Sequence, residues 1–185
     1  MNAGPLLDPG LGYVIVLALA LLFGQAAWHK WRALGRFGAT LAAYRLVPAP
    51  LLGLSRVAMP ACESAIALLL LPAATRPWAA AAGAVLLLAY AGAVAINLRR
   101  GRRDLDCGCT GPAERRPIAA WMAWRNVLLA LLLALAGLPW AARPLGAIDL
   151  VTVGGGLAVI ALLYAALDRL LGQIMPRSAA MRGAR

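Results

Sequence analysis

The chain has 185 residues, 63% of them hydrophobic, and a mean hydropathy of +0.78. Soluble domains are about 45–50% apolar; here the excess comes in long uncharged blocks, which indicates an integral membrane protein and leaves no room for a separate soluble domain. The formal charge of +11 would suggest nucleic acid in a soluble protein, but these arginines cluster in loops between apolar runs, where they report topology. The expected surroundings are membrane lipid, with no nucleic-acid partner.

The first apolar run is 11–28, closed by Trp28, His29, Lys30 and Trp31. Aromatic and basic residues at the end of a run mark the membrane–water interface, so His29 and Lys30 read as interface anchors, with a lipid-headgroup or quinone contact as the functional alternative. No basic segment precedes Leu11 and no small-residue cleavage site follows, so the run is expected to be an anchor and not a cleaved signal. In the linker, Phe37, Leu41, Tyr44 and Val47 fall at helical spacing and predict a short amphipathic surface helix. Tyr44 and Arg45 are expected to snorkel, and Pro48 and Pro50 to end the helix.

The second span, 51–71, carries Arg56, Pro60, Cys62 and Glu63. Glu63 lies twelve residues into its run, or roughly 18 Å along a helix. A carboxylate at that depth costs about 2.5–3.5 kcal/mol on insertion scales, so it should face the bundle and is a candidate functional residue. The bland alternative is a carboxyl hydrogen-bonded to a neighbouring helix. Arg56, two turns earlier, is its candidate partner, and Cys62 reads as a small packing residue. The third span is 78–98, followed by Arg99, Arg100, Arg102 and Arg103.

Between the third and fourth spans stands Asp104-Leu-Asp-Cys-Gly-Cys-Thr-Gly-Pro112. Gly108 and Gly111 permit positive φ and Pro112 sets the exit, so the stretch reads as a tight loop. Cys107 and Cys109 are a candidate redox pair: their Cys-x-Cys ring is small, so its disulfide should be strained and easily reduced. Neighbouring arginines favour thiolate and Asp104 and Asp106 oppose it. Two thiolates and a single histidine are too few for four-coordinate zinc. No metal site is expected, copper(I) on the thiols being the residual option. Two incidental loop cysteines are the plain alternative.

The fourth span is 121–140, with Arg125 and Asn126 near its start, and the fifth is 150–167. The fold class is therefore all-α: a membrane helical bundle of four to five transmembrane helices, five favoured, forming one domain over 1–176 with a basic, disordered tail at 177–185. By loop, lysine and arginine divide sixteen against two. This puts the N-terminus outside, the C-terminus in the cytoplasm and the Cys loop on the cytoplasmic side or re-entrant from it.

The run from Ala26 to Pro48, AAWHKWRALGRFGATLAAYRLVP, the Pro60-x-x-Glu63 step and Asp106-Cys-Gly-Cys-Thr-Gly111 resemble the MauE family of DoxX-like membrane proteins over roughly residues 10 to 140. Thr110 stands where that family has an aromatic residue. The resemblance implies a multi-pass bacterial inner-membrane protein of methylamine utilisation. Its role would be in processing, transport or disulfide formation for the maturing small subunit of methylamine dehydrogenase, beside a thioredoxin-like partner. No bound cofactor is implied, though a quinone could accept electrons. A direct donor to a periplasmic protein would carry its cysteines outside, against the charge count. The loop is then re-entrant, or the pair passes electrons across the membrane, or the protein is not the direct donor. Two other readings stand beside it: a non-catalytic membrane subunit, and a small-solute permease built on Glu63.

Overall fold

A computed structural model describes residues 7–106, 117–141 and 143–174. The Cys107–Gly108–Cys109 stretch and the basic tail lie outside these residues. Six α-helices follow in order: α1 Pro9–Arg32, α2 Leu34–Tyr44, α3 Leu52–Leu69, α4 Arg76–Arg99, α5 Ala120–Ala136 and α6 Ala147–Ile174. A single 3-10 turn, Ala49–Leu51, leads into α3. Four of the helical segments are long and apolar enough to cross a membrane, and α5, at 17 residues, is a shorter fifth. At 1.5 Å per residue it reaches about 25 Å, a little under the hydrocarbon thickness. The protein is an all-α, multi-pass membrane bundle.

The core is a seam of α1, α3, α4 and α5. Val16, Leu19 and Phe23 meet Ile66, Leu70, Ala80, Leu87 and Leu133 there. Small residues let the backbones approach, as membrane helices require. At Gly83 an added Cβ would lie 2.9 Å from Leu133 Cδ1 and 3.3 Å from Phe23 Cζ. α6 leans mainly on α1 and turns most of its apolar surface outward.

The connections gather at two ends. At one end Asp8 caps α1 by accepting from the Gly10 amide at 2.9 Å, which satisfies a donor that the helix start leaves free. Arg143 joins Asp8 to Asp149; its hydrogen bonds to Asp149 and then Asp8 raise its pKa above the ordinary arginine value. Arg76, the first residue of α4, is buried, donates to the Leu70 and Leu71 carbonyls and lies 3.6 Å over the Trp140 ring. The other end holds α2 and the two arms of the α4–α5 connection. The described helices are those of a bundle with four to five passes.

Two helix limits differ from expectation. α1 runs on through His29 and Lys30 to Arg32, so these residues belong to the helix and not to its exit. α2 ends at Tyr44, ahead of both prolines, because Arg45 adopts the left-handed conformation at φ 51°, a C-cap geometry that closes a helix without proline.

Candidate functional site

The buried stripe of α1 runs Val16, Leu19, Phe23, Ala27 and then Lys30. Spacings of three and four residues keep these side chains on one face, so the last of them points inward. Pro60, Glu63, Ile66 and Leu70 form the matching stripe around α3. Where the two stripes meet, Lys30 Nζ donates to Glu63 Oε1 in an ion pair whose side chains are 4% and 1% exposed. Tyr90 of α4 donates its hydroxyl to the same oxygen at 2.9 Å. The ammonium also lies 5.3 Å from the Phe37 ring centre and 5.1 Å from that of Tyr90. Glu63 Oε2 is buried with no hydrogen-bond partner among the described residues.

Next to this pair the helices are joined a second time: Trp31 Nε1 donates to Ser64 Oγ at 3.2 Å, and Ser64 Oγ donates to the Pro60 carbonyl at 2.9 Å. Pro60 has no amide and so cannot bond to the Arg56 carbonyl one turn earlier. α3 continues through it, and the contacts at positions 63 and 64 fix the helix beyond the interruption.

Lys30 also forms part of the wall of a cavity of about 140 Å³. α2 contributes Phe37, Thr40, Leu41 and Tyr44; Met59, Tyr90, Ala93, Val94, Met122 and Asn126 contribute from α3, α4 and α5. α2 thus covers the cavity with the amphipathic face that its spacing predicts: Phe37, Leu41 and Tyr44 are its buried residues.

The α4–α5 connection is fastened against the same wall. Arg102 donates to Asn97 Oδ1 at 3.1 Å, to the Ala43 carbonyl at 2.6 Å and to the Tyr44 carbonyl at 3.4 Å. It thereby satisfies free carbonyls at the C-terminus of α2. Asn97, fully buried, is held in turn by donating to the Ala93 carbonyl at 3.1 Å. Asp106 pairs with Pro117 as an isolated antiparallel bridge, and the Ile118 amide donates to the Leu105 carbonyl at 3.0 Å. Ile118 packs with Tyr44, Val94 and Met122, with Leu105 against them.

The site expected from sequence is only partly the one found. Glu63 faces the bundle, but its partner is Lys30; Arg56 is exposed and lies against Gly38. Lys30 is therefore no interface anchor. Cys62 does not pack inside: it is free and exposed on the outer face of α3. Tyr90, Asn97, Arg102 and Asn126 were not assigned roles from sequence. Cys107 and Cys109 lie outside the described residues.

The model of the family described as methylamine utilisation protein MauE matches residues 9–141. The chain belongs to the MauE family. The methylamine utilization protein MauE of Paracoccus denitrificans is 38% identical over 136 residues, spanning 72% of this chain and 73% of that protein. The proteins of the same name from Methylophilus methylotrophus and Paracoccus versutus are 33% and 35% identical, over 89% and 85% of this chain and 88% and 85% of theirs. No solved structure matches. The family match takes in α1 to α5 and thus Lys30, Glu63, Tyr90, the cavity wall and the Cys-Gly-Cys stretch; α6 lies beyond it.

Proposed function

We propose that this MauE-family protein serves methylamine utilisation from a bacterial inner membrane, where Cys107 and Cys109 relay thiol redox equivalents in support of disulfide formation in a maturing dehydrogenase subunit. The partner is a thioredoxin-like protein or that subunit. Family membership and the shared name of the relatives support the pathway. The observation that carries the mechanism is the pinning of both arms of the thiol stretch: Asp106 to Pro117 and Leu105 to Ile118 on one side, and Arg102 to the end of α2 on the other. Two thiols one residue apart on such a base can cycle between dithiol and a strained disulfide, which suits exchange better than permanent bracing.

The sixteen-to-two division of basic residues supports an N-terminus outside and a C-terminus in the cytoplasm. The thiol arms then lie at the cytoplasmic end, opposite Asp8, so exchange with a partner outside requires a re-entrant loop or a relay across the membrane. A permease built on a free Glu63 carboxylate is disfavoured, because Lys30 already neutralises it within the bundle.

The test is genetic and chemical. Cys107→Ser, Cys109→Ser and the double change should abolish growth on methylamine equally, since one thiol cannot complete the cycle. One single variant should trap a reducible mixed disulfide with its partner. If alkylation in living cells finds both thiols always reduced, and the double variant grows normally, the redox reading falls and a non-catalytic membrane subunit replaces it.

A further inference from the structure

We infer that the cavity beneath α2 is a binding site for the ring of a lipid-soluble quinone. Its volume of about 140 Å³ is close to that of an engineered protein cavity that accepts benzene, roughly 150 Å³, so it suits one six-membered ring. Most of its wall is apolar, from Phe37, Leu41, Val94 and Met122 among others.

The polar groups define the ligand. Asn126 is 5% exposed, lines the cavity and makes no hydrogen bond among the described residues. An amide that faces an apolar cavity without a protein partner favours a ligand that brings one. Lys30 lines the same space and, among the described residues, hydrogen-bonds to Glu63 alone, leaving further ammonium N–H groups to donate. An amide and an ammonium together favour a ligand rich in acceptors.

Charge narrows the choice. A cation would meet the Lys30 ammonium in the wall, and an anion would compete for that ammonium with Glu63, the buried carboxylate it neutralises. The ligand is therefore neutral, ring-sized and carries carbonyl oxygens; among molecules dissolved in a membrane, a quinone has this chemistry. Its reduction to the hydroquinone takes up two electrons and two protons, the same number that two thiols release on closing to a disulfide. That link rests on the thiol reading proposed above, whereas the binding does not.

The experiment uses the full-length protein in lipid nanodiscs and a decyl-substituted benzoquinone, with quenching of tryptophan fluorescence as the readout. Binding should be saturable. Ala93→Leu, which fills the cavity, and Asn126→Leu, which removes the amide at similar volume, should each weaken it at least about tenfold at an unchanged unfolding temperature. Should Asn126→Leu fail to fold, Ala93→Leu decides. Linear, unsaturable quenching, wild-type affinity in a folded Ala93→Leu protein, or equal binding of decylbenzene would each overturn the assignment, the last marking a site for lipid chains. The Cys107→Ser/Cys109→Ser protein should bind the quinone like wild type, so loss of the thiol reading and loss of this site are told apart.

Discussion

Replacing Lys30 with methionine keeps the length of the side chain and removes its charge. Glu63, 1% exposed, would keep one hydrogen bond, from Tyr90 at 2.9 Å, while Oε2 already has none among the described residues. Removing one partner of a buried ion pair costs about 3–5 kcal/mol, because the remaining charge is uncompensated; replacing both with apolar groups of similar volume is often neutral. Lys30→Met should therefore destabilise by that amount, and Lys30→Met/Glu63→Leu should recover most of it. The corresponding cycle of single and double variants should show a coupling of at least about 2–3 kcal/mol, the upper range for residues in direct contact. Tyr90→Phe should cost less, about 1.5–3 kcal/mol, the range for one hydrogen bond to a charged group. Equilibrium unfolding in bicelles, followed by far-ultraviolet circular dichroism, measures all four. A Lys30→Met cost under about 1 kcal/mol, or a double variant as damaged as the sum of the singles, would show that the pair does not hold α1 to α3.

Arg102→Met removes the donors to the Ala43 and Tyr44 carbonyls; limited proteolysis should then cut within α2 at least about tenfold faster, with α1 and α3 still protected. Gly83→Ala places a methyl group 2.9 Å from Leu133 Cδ1, and overpacking of this kind typically costs about 1–3 kcal/mol, read as a lowered unfolding temperature. Cys62→Ala should change stability by less than about 0.5 kcal/mol, since the thiol lies on the exposed face of α3 away from any packed contact. A C-terminal fluorescent-protein fusion should be bright and a phosphatase fusion inactive; the reverse would contradict the charge-based orientation.

Much of the architecture was legible from composition and period alone. Long uncharged runs specify membrane helices because backbone groups in hydrocarbon must be satisfied within the segment. The spacing of Phe37, Leu41 and Tyr44 specifies an amphipathic α2 because side chains three and four apart share a face. Glu63 could be placed inside the bundle because a carboxylate facing lipid is too costly. The same periodicity, carried one turn further, also marks the buried polar residues: Lys30 ends the stripe of Phe23 and Ala27, Asn97 that of Leu87 and Val94, and Asn126 lies between Met122 and Ala130.

Pairing is what the sequence by itself does not determine. Arg56 shares a helix with Glu63 and is the nearest basic residue along the chain, yet Lys30, 33 positions away, meets the carboxylate. Helical period gives the direction of a side chain but not which helix stands opposite, nor at what height. Those are decided when α1 slides along α3 until Phe23, Ile66 and Gly83 close-pack, which brings Lys30 level with Glu63 and Trp31 level with Ser64. The cavity likewise exists only after α2 folds back over α4 and α5, because its wall is drawn from five helices that no local rule relates to one another.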